Sequence, residues 1–144
     1  MKETNSKVRL IDLEAVQTSD IWRILSDYYV QGLLSESEDG AGDIVIERPE
    51  RFYIKVDAHF GALRFFCYMV IKVEHDNAKF LESLSEANAA SSSVKYSLLS
   101  NSVMAEYGIP LFGYIDHKHL LKTVEHFNEE INMLKLVLDD FLEG

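Results

Sequence analysis

The fold is decided by residues 94–141, which read VKYSLLSNSVMAEYGIPLFGYIDHKHLLKTVEHFNEEINMLKLVLDDF. This segment predicts two strands joined by a turn at residues 100–102, followed by one long helix. Within the helix, apolar side chains recur at spacings of four and three, at Leu120, Val124, Phe127, Ile131, Leu134, Leu138 and Phe141. Such a stripe lies on one helix face and must be buried against another element. Further apolar residues broaden the stripe, which favours packing on a sheet over a coiled-coil seam between subunits.

The sequence before residue 94 predicts a helix, three strands and a second helix. The expected features are a first helix capped by Thr18 or Ser19, a polar acidic loop at 35–42, strands at 43–47, 52–57 and 63–74, and a second helix capped by Asp76. Residues 1–17 lack periodicity and are expected to form a loosely ordered leader, so that 18–144 is a single domain. The predicted fold is α+β, in the order α-β-β-β-α-β-β-α, with a five-stranded, mostly antiparallel sheet and three helices.

Composition limits the partners and the compartment. The chain has 144 residues and a formal charge of -10, from 24 acidic and 14 basic residues, so a nucleic acid is not an expected partner. The single cysteine, Cys67, lies within the apolar run 65–71, which excludes an intramolecular disulfide and predicts a buried thiol in a reducing compartment. That run is much shorter than the roughly 20 residues of a membrane-spanning helix. We therefore expect a cytoplasmic protein without a membrane partner.

The sequence has no recognisable motif for catalysis, for a cofactor or for a metal. The chain contains no G-x-S-x-G, no glycine-rich phosphate loop, no H-E-x-x-H and no C-x-x-C. His126 and Glu130 form a helical i, i+4 pair, but no third ligand follows at a recognisable spacing. Solvent-exposed histidines explain this pair better than a metal site does. The sequence thus predicts no catalytic, cofactor-binding or metal-binding residue and no enzyme.

Several segments resemble the YbjN-type family of small bacterial proteins. They are LSEANAA at 84–90, SVKYSL at 93–98, VMAEYGIPL at 103–111 and the opening of the last helix at 116–127, and the resemblance extends over residues 18–142. Members of this family are described as candidate regulators of sensory transduction, and their fold is like that of type III secretion chaperones. The resemblance implies that fold in a small acidic homodimer that binds a polypeptide. It supplies no catalytic residue.

One face of the longest predicted strand is the candidate interaction surface. The alternation of side chains places Phe66, Tyr68 and Val70 on the face opposite Phe65 and Cys67. If the helices cover only the latter face, the three residues form an exposed apolar patch that serves a partner or a second subunit. If the first helix covers them, they belong to the core. The sequence is compatible with both interpretations.

Two functions from different classes follow. The first is a non-enzymatic polypeptide-binding protein, chaperone-like or regulatory, which uses an apolar strand face or a helix-flanked groove. The alternative is a small-molecule-binding sensor or minor enzyme whose pocket lies between sheet and helices, with polar groups from Tyr53, Tyr68, Tyr96 and His59. An enclosed cavity with converging polar groups would favour the alternative.

Overall fold

The computed structural model describes residues 9–30, 32–36 and 42–144. These residues form an α+β fold with eight strands, three helices and a short 3-10 turn at Asp139–Phe141. The elements are β1 (Leu10–Asp12), α1 (Thr18–Ser26), β2 (Leu34–Glu36), β3 (Ile44–Ile46), β4 (Phe52–Asp57), β5 (Ala62–Val70), α2 (Ala78–Ala90), β6 (Lys95–Leu98), β7 (Ser102–Pro110), β8 (Tyr114–Asp116) and α3 (His117–Val137).

The main sheet is antiparallel, as predicted, but it has six strands in the order β2-β3-β4-β5-β7-β6. The prediction of five strands was wrong, because β2 falls where the sequence indicates a loop. The order of elements also differs, since β1 and β8 pair with each other in a separate two-stranded ribbon. Each of these three additional strands has only three residues. That length is too short for alternation to be recognised in a sequence.

Helix α3 packs on one face of the sheet, as its apolar stripe predicts. Six of the seven stripe residues are buried, and Phe141 is partly buried against the same core. Phe127 lies with its ring centroid 5.0 Å from that of Phe52 and 6.1 Å from that of Phe65. Asp116 precedes the helix, and its carboxylate accepts a hydrogen bond from the Lys118 N–H at 3.0 Å. The predicted start of this helix is therefore confirmed.

The other two helices lie against the same core. The buried side chains of α1 and α2 join the cluster that contains the inward face of β5, among them Ile21, Leu25 and Phe80. The cap of α2 is Asn77 rather than Asp76, and its side-chain oxygen accepts from the Phe80 N–H at 3.0 Å. Either residue type serves as an N-cap, so the sequence alone did not separate them.

The expected leader is in part folded. Residues 1–8 lie outside the described residues, and so does the tip of the predicted acidic loop, 37–41. Residues 9–17 include β1 and place Ile11, Leu13 and Val16 in the core. These apolar positions are too widely and unevenly spaced to form a helical or alternating pattern, which explains why the prediction of a loose segment was wrong for residues 9–17.

Candidate functional site

On strands β4 to β7, the second face of the sheet is not covered by any helix of the described chain, whereas Val45 of β3, which shares this face by pairing with Tyr53, is fully buried. Residues opposite one another in antiparallel strands share a face, so the strand register identifies its members. We call this surface the open face: Tyr53, Lys55, Asp57, Arg64, Phe66, Tyr68, Val70, Lys95, Met104 and Glu106. None of them belongs to the core cluster, whereas the buried apolar side chains of all three helices do. The first helix therefore does not cover this patch.

The three residues predicted as the interaction surface share this face but differ in exposure. Tyr68 and Val70 are 49% and 43% exposed, whereas Phe66 is 8% exposed. Phe66 is shielded by its neighbours, because its ring stacks on Tyr53 at a centroid distance of 5.3 Å and meets Tyr68 edge-on at 5.9 Å. Phe66 thus packs beneath this surface, and Tyr68 and Val70 are its solvent-exposed side chains.

Arg64 organises one end of the open face. Its guanidinium lies 3.3 Å from a carboxylate oxygen of Asp57 and 3.3 Å from one of Glu106. It also lies above the rings of Phe60 and Phe66, at 4.7 Å and 5.0 Å from their centroids. Two ion pairs and two cation–π contacts hold this side chain in place against the aromatic rings.

The same contacts affect the ionisation of Asp57. Burial acts to raise its pKa, but hydrogen bonds from the Phe60 N–H and from Arg64, together with the charge of Lys55, hold the pKa below its ordinary value of 3.8. A carboxyl whose pKa is lower in the folded state stabilises that state above its ordinary pKa. This contribution is lost as the pH falls through the pKa of the folded protein.

We therefore expect the free energy of unfolding to decrease as the pH falls below 4, with part of the decrease due to Asp57. Urea unfolding of the wild type and of Asp57→Asn, measured from pH 6 to pH 3, tests this. The variant should be less stable than the wild type at pH 6 and should lose less stability on acidification. Parallel profiles for the two proteins would show that Asp57 does not contribute.

A cleft of about 560 Å3 opens beside the exposed part of the open face. Tyr53 and Tyr68 line it together with Arg51 and Lys135. The cleft opens along the edge of β5 that faces β4. The pairing of β4 with β5 ends at Phe66, and beyond the cleft the same edge continues past β5 to Ile71, which forms a bridge with Leu142. Both cations already have partners: Arg51 contacts Glu47 at 3.5 Å, and Lys135 contacts Glu50 at 2.6 Å.

Cys67 is buried, as predicted. Its exposed fraction is 4%, and burial raises the pKa of the thiol to about 11. The nucleophilic form of a cysteine is the thiolate, so this residue is a structural thiol at neutral pH.

A groove between α2 and α3 contains a cluster of polar side chains. We call it the helix groove; it has a volume of about 270 Å3, and Tyr96, His126, Glu130 and Met133 are among the residues that line it. His126 Nε2 lies 3.7 Å from Glu130 Oε1 and 3.2 Å from the Ser93 hydroxyl. Within the described ranges, no three histidine, cysteine, aspartate or glutamate side chains are grouped so that they could hold a metal ion.

The four residues of the predicted small-molecule pocket do not converge. Tyr53 and Tyr68 line the cleft, Tyr96 lines the helix groove, and His59 is exposed between β4 and β5. The cleft and the helix groove are both open to solvent. Sequence reasoning missed the part played by Arg64, although the alternation along β5 already places this residue on the same face as Phe66.

The fold of this chain is similar to that of a solved structure. The crystal structure described as "YbjN, a putative transcription regulator from E. coli" matches this chain with a TM-score of 0.74. The match covers 90% of this chain and 96% of that chain, at 14% sequence identity. The chain has the YbjN fold. Among the described residues, no helix is both long and apolar enough to cross a membrane.

The other two comparisons found no relative. No protein-family model matches the chain, and no curated protein matches it. The YbjN fold is thus established by the structure, and the fold expected from segments 84–90, 93–98 and 103–111 is confirmed.

Proposed function

We propose that this protein is a non-enzymatic regulatory or chaperone-like protein that binds another polypeptide on the open face. One observation carries the proposal: Tyr68 and Val70 are nearly half exposed on a sheet face without a helical cover in the described chain. Exposed apolar patches of this kind mark interaction surfaces. The E. coli structure of the same fold is described as "a putative transcription regulator", which supports only the regulatory part of this proposal.

The charges of the open face indicate what the polypeptide contains. Lys55 and Lys95 lie on this face, and neither forms an ion pair with another described residue. The chain as a whole has a charge of -10, whereas this face carries Lys55, Arg64 and Lys95 against Asp57 and Glu106, so an acidic segment is repelled less here than by the surface as a whole. The partner segment we propose is apolar, with acidic residues beside its apolar ones.

Photo-crosslinking inside cells tests the proposal. A benzoylphenylalanine is placed at Val70, and a matched chain carries it at Lys79, an exposed position on α2. The proposal predicts one or a few discrete adducts with another polypeptide from position 70 and none of these from position 79. Identical adducts from both positions, or adducts from position 70 only with a second copy of the chain, would contradict it.

A second candidate function uses the cleft. Its volume of about 560 Å3 is sufficient for a small molecule, and Tyr53 and Tyr68 contribute to its lining. A small-molecule sensor would then bind next to the same open face. A metabolite that co-purifies with the wild type and is lost from Tyr53→Leu would favour this function.

We also propose that the protein is a cytoplasmic homodimer. We expect sedimentation equilibrium at micromolar concentration to report twice the mass of the 16.5 kDa chain. A single species of the monomer mass across the concentration range would contradict the dimer and leave the polypeptide-binding proposal intact.

A further inference from the structure

The outer side of α3 carries an apolar strip that the core does not use. Met133, Leu136 and Val137 are 58%, 66% and 49% exposed, and their spacing places them side by side on the helix. Across the helix groove, α2 presents only the small side chains of Ala87 and Ala90. Small residues on one wall and larger apolar ones on the other leave a shallow channel along the two helices.

A carboxylate is fixed within this channel. Glu130 Oε2 accepts a hydrogen bond from the Tyr96 hydroxyl at 2.6 Å and a longer one from the Ser91 hydroxyl at 3.4 Å. Burial, and then the contact with Glu130, raise the pKa of Tyr96, so its hydroxyl remains a donor at neutral pH. Glu130 is thereby held in place as an acceptor at the channel.

The surroundings of the channel are acidic. Glu86 and Glu129 are exposed near it, and Asp140 follows the apolar strip. No lysine or arginine is among the residues that line the groove. The nearest lysine on α3, Lys135, forms its ion pair with Glu50, which lies before β4. The channel is therefore bordered by carboxylates without a lysine or arginine in its lining, and this charge complements a basic ligand.

The geometry favours a helix over a strand as that ligand. A strand could bind only by pairing with β6, the edge strand beside α2. At that edge, the backbone N–H and carbonyl of Tyr96 are already hydrogen-bonded to the side-chain amide of Asn88. This amide donates to the Tyr96 carbonyl and accepts from the Tyr96 N–H, both at 2.8 Å. A helix needs no backbone partner, and apolar residues spaced like Met133, Leu136 and Val137 are what a docked helix contacts.

Charge also disfavours a second copy of this chain on the strip. If two copies of α3 crossed antiparallel about Met133 and Leu136, Glu129 of one copy would face Asp140 of the other. Like charges placed opposite one another weaken an interface. We propose that the helix groove binds a basic amphipathic helix of a partner protein, at a site separate from the open face.

The native methionines allow a direct test. The chain has four, of which Met133 borders the helix groove, Met104 lies on the open face and Met69 is in the core. The probe is a synthetic amphipathic helix of leucine and lysine with about 18 residues, roughly five turns; its matched control carries glutamate in place of lysine. Methyl spectra of methionine-labelled protein are recorded as each peptide is added.

The basic peptide should shift the Met133 methyl signal and leave those of Met69 and Met104 in place. Leu136→Ser with Val137→Ser should weaken its binding about tenfold. Glu129→Gln should weaken it several-fold at low salt and less at high salt. The same change at the opposite edge of the sheet, Glu36→Gln, and the open-face variant Tyr68→Ser should both bind like the wild type.

Three outcomes of the peptide titrations would overturn the proposal. They are equal binding of the acidic peptide, a shift of Met104 rather than Met133, and a failure of the basic peptide to shift Met133. A wild-type dimer that Leu136→Ser converts to a monomer would also overturn it, because a second copy would then occupy the strip. A basic peptide that fails to shift Met133 leaves the open-face proposal intact, whereas a shift of Met104 would report a peptide bound on the open face.

Discussion

Replacing Phe127 with alanine is expected to lower the free energy of unfolding by about 3–5 kcal/mol, the usual loss for a buried phenylalanine. This ring is fully buried between α3 and the sheet, against Phe52 and Phe65. Its removal leaves a cavity where the helix meets the two central strands. Urea unfolding followed by circular dichroism and by the fluorescence of Trp22, the single tryptophan, measures the change.

Leu136→Ala is the matched control for this experiment. It lies on the same helix and also removes a large apolar side chain, but it lies outside the core. We expect its free energy of unfolding to remain within about 0.5 kcal/mol of the wild type. Equal losses for Phe127→Ala and Leu136→Ala would contradict the packing of α3 on the sheet.

The double variant Tyr68→Ser with Val70→Ser is expected to weaken binding of the cross-linked partner at least tenfold, about 1.4 kcal/mol. Both side chains present apolar surface to solvent, so their loss removes contact with the partner and little of the core. The free energy of unfolding should change by about 1 kcal/mol or less. Fluorescence anisotropy of the labelled partner segment measures binding, and urea unfolding measures stability.

Phe66→Ser distinguishes the buried side chain beneath the open face from the exposed side chains on it. Phe66 is shielded by Tyr53 and by the guanidinium of Arg64. Its replacement should therefore reduce stability more than the double variant does, by about 2 kcal/mol or more. If Tyr68→Ser with Val70→Ser loses stability and binding in the same proportion, those two side chains are structural, and the assignment of the open face as a binding surface is wrong.

The features predicted correctly from the sequence are those with long, regular patterns. Within α3 the stripe runs from Leu120 to Leu134, about four helical turns, and the alternation along β5 continues for the whole strand. Both patterns result from burial on one face, so they report which face meets the core. The same alternation placed Phe66, Tyr68 and Val70 together and opposite Phe65, as the register shows.

The features that the sequence did not predict depend on contacts between segments that are distant in the chain. Strands β1 and β8 have three residues each, and their pairing joins positions about one hundred residues apart in sequence, Leu10 with Asp116. The exposure of the open face depends on where α1 docks, and α1 has an apolar stripe that fits either side of the sheet. The helix groove forms only when Ala87 and Met133 come together from two helices.

The methyl signal of Met104 provides the most direct test of the central claim, that the open face binds a polypeptide. Met104 lies opposite Tyr68 in the register of β5 and β7, on the same face of the sheet. The partner segment recovered by cross-linking is titrated into methionine-labelled protein. We expect the Met104 signal to shift in proportion to binding while that of the buried Met69 stays in place. A Met104 signal that does not move when the partner is fully bound would contradict the claim.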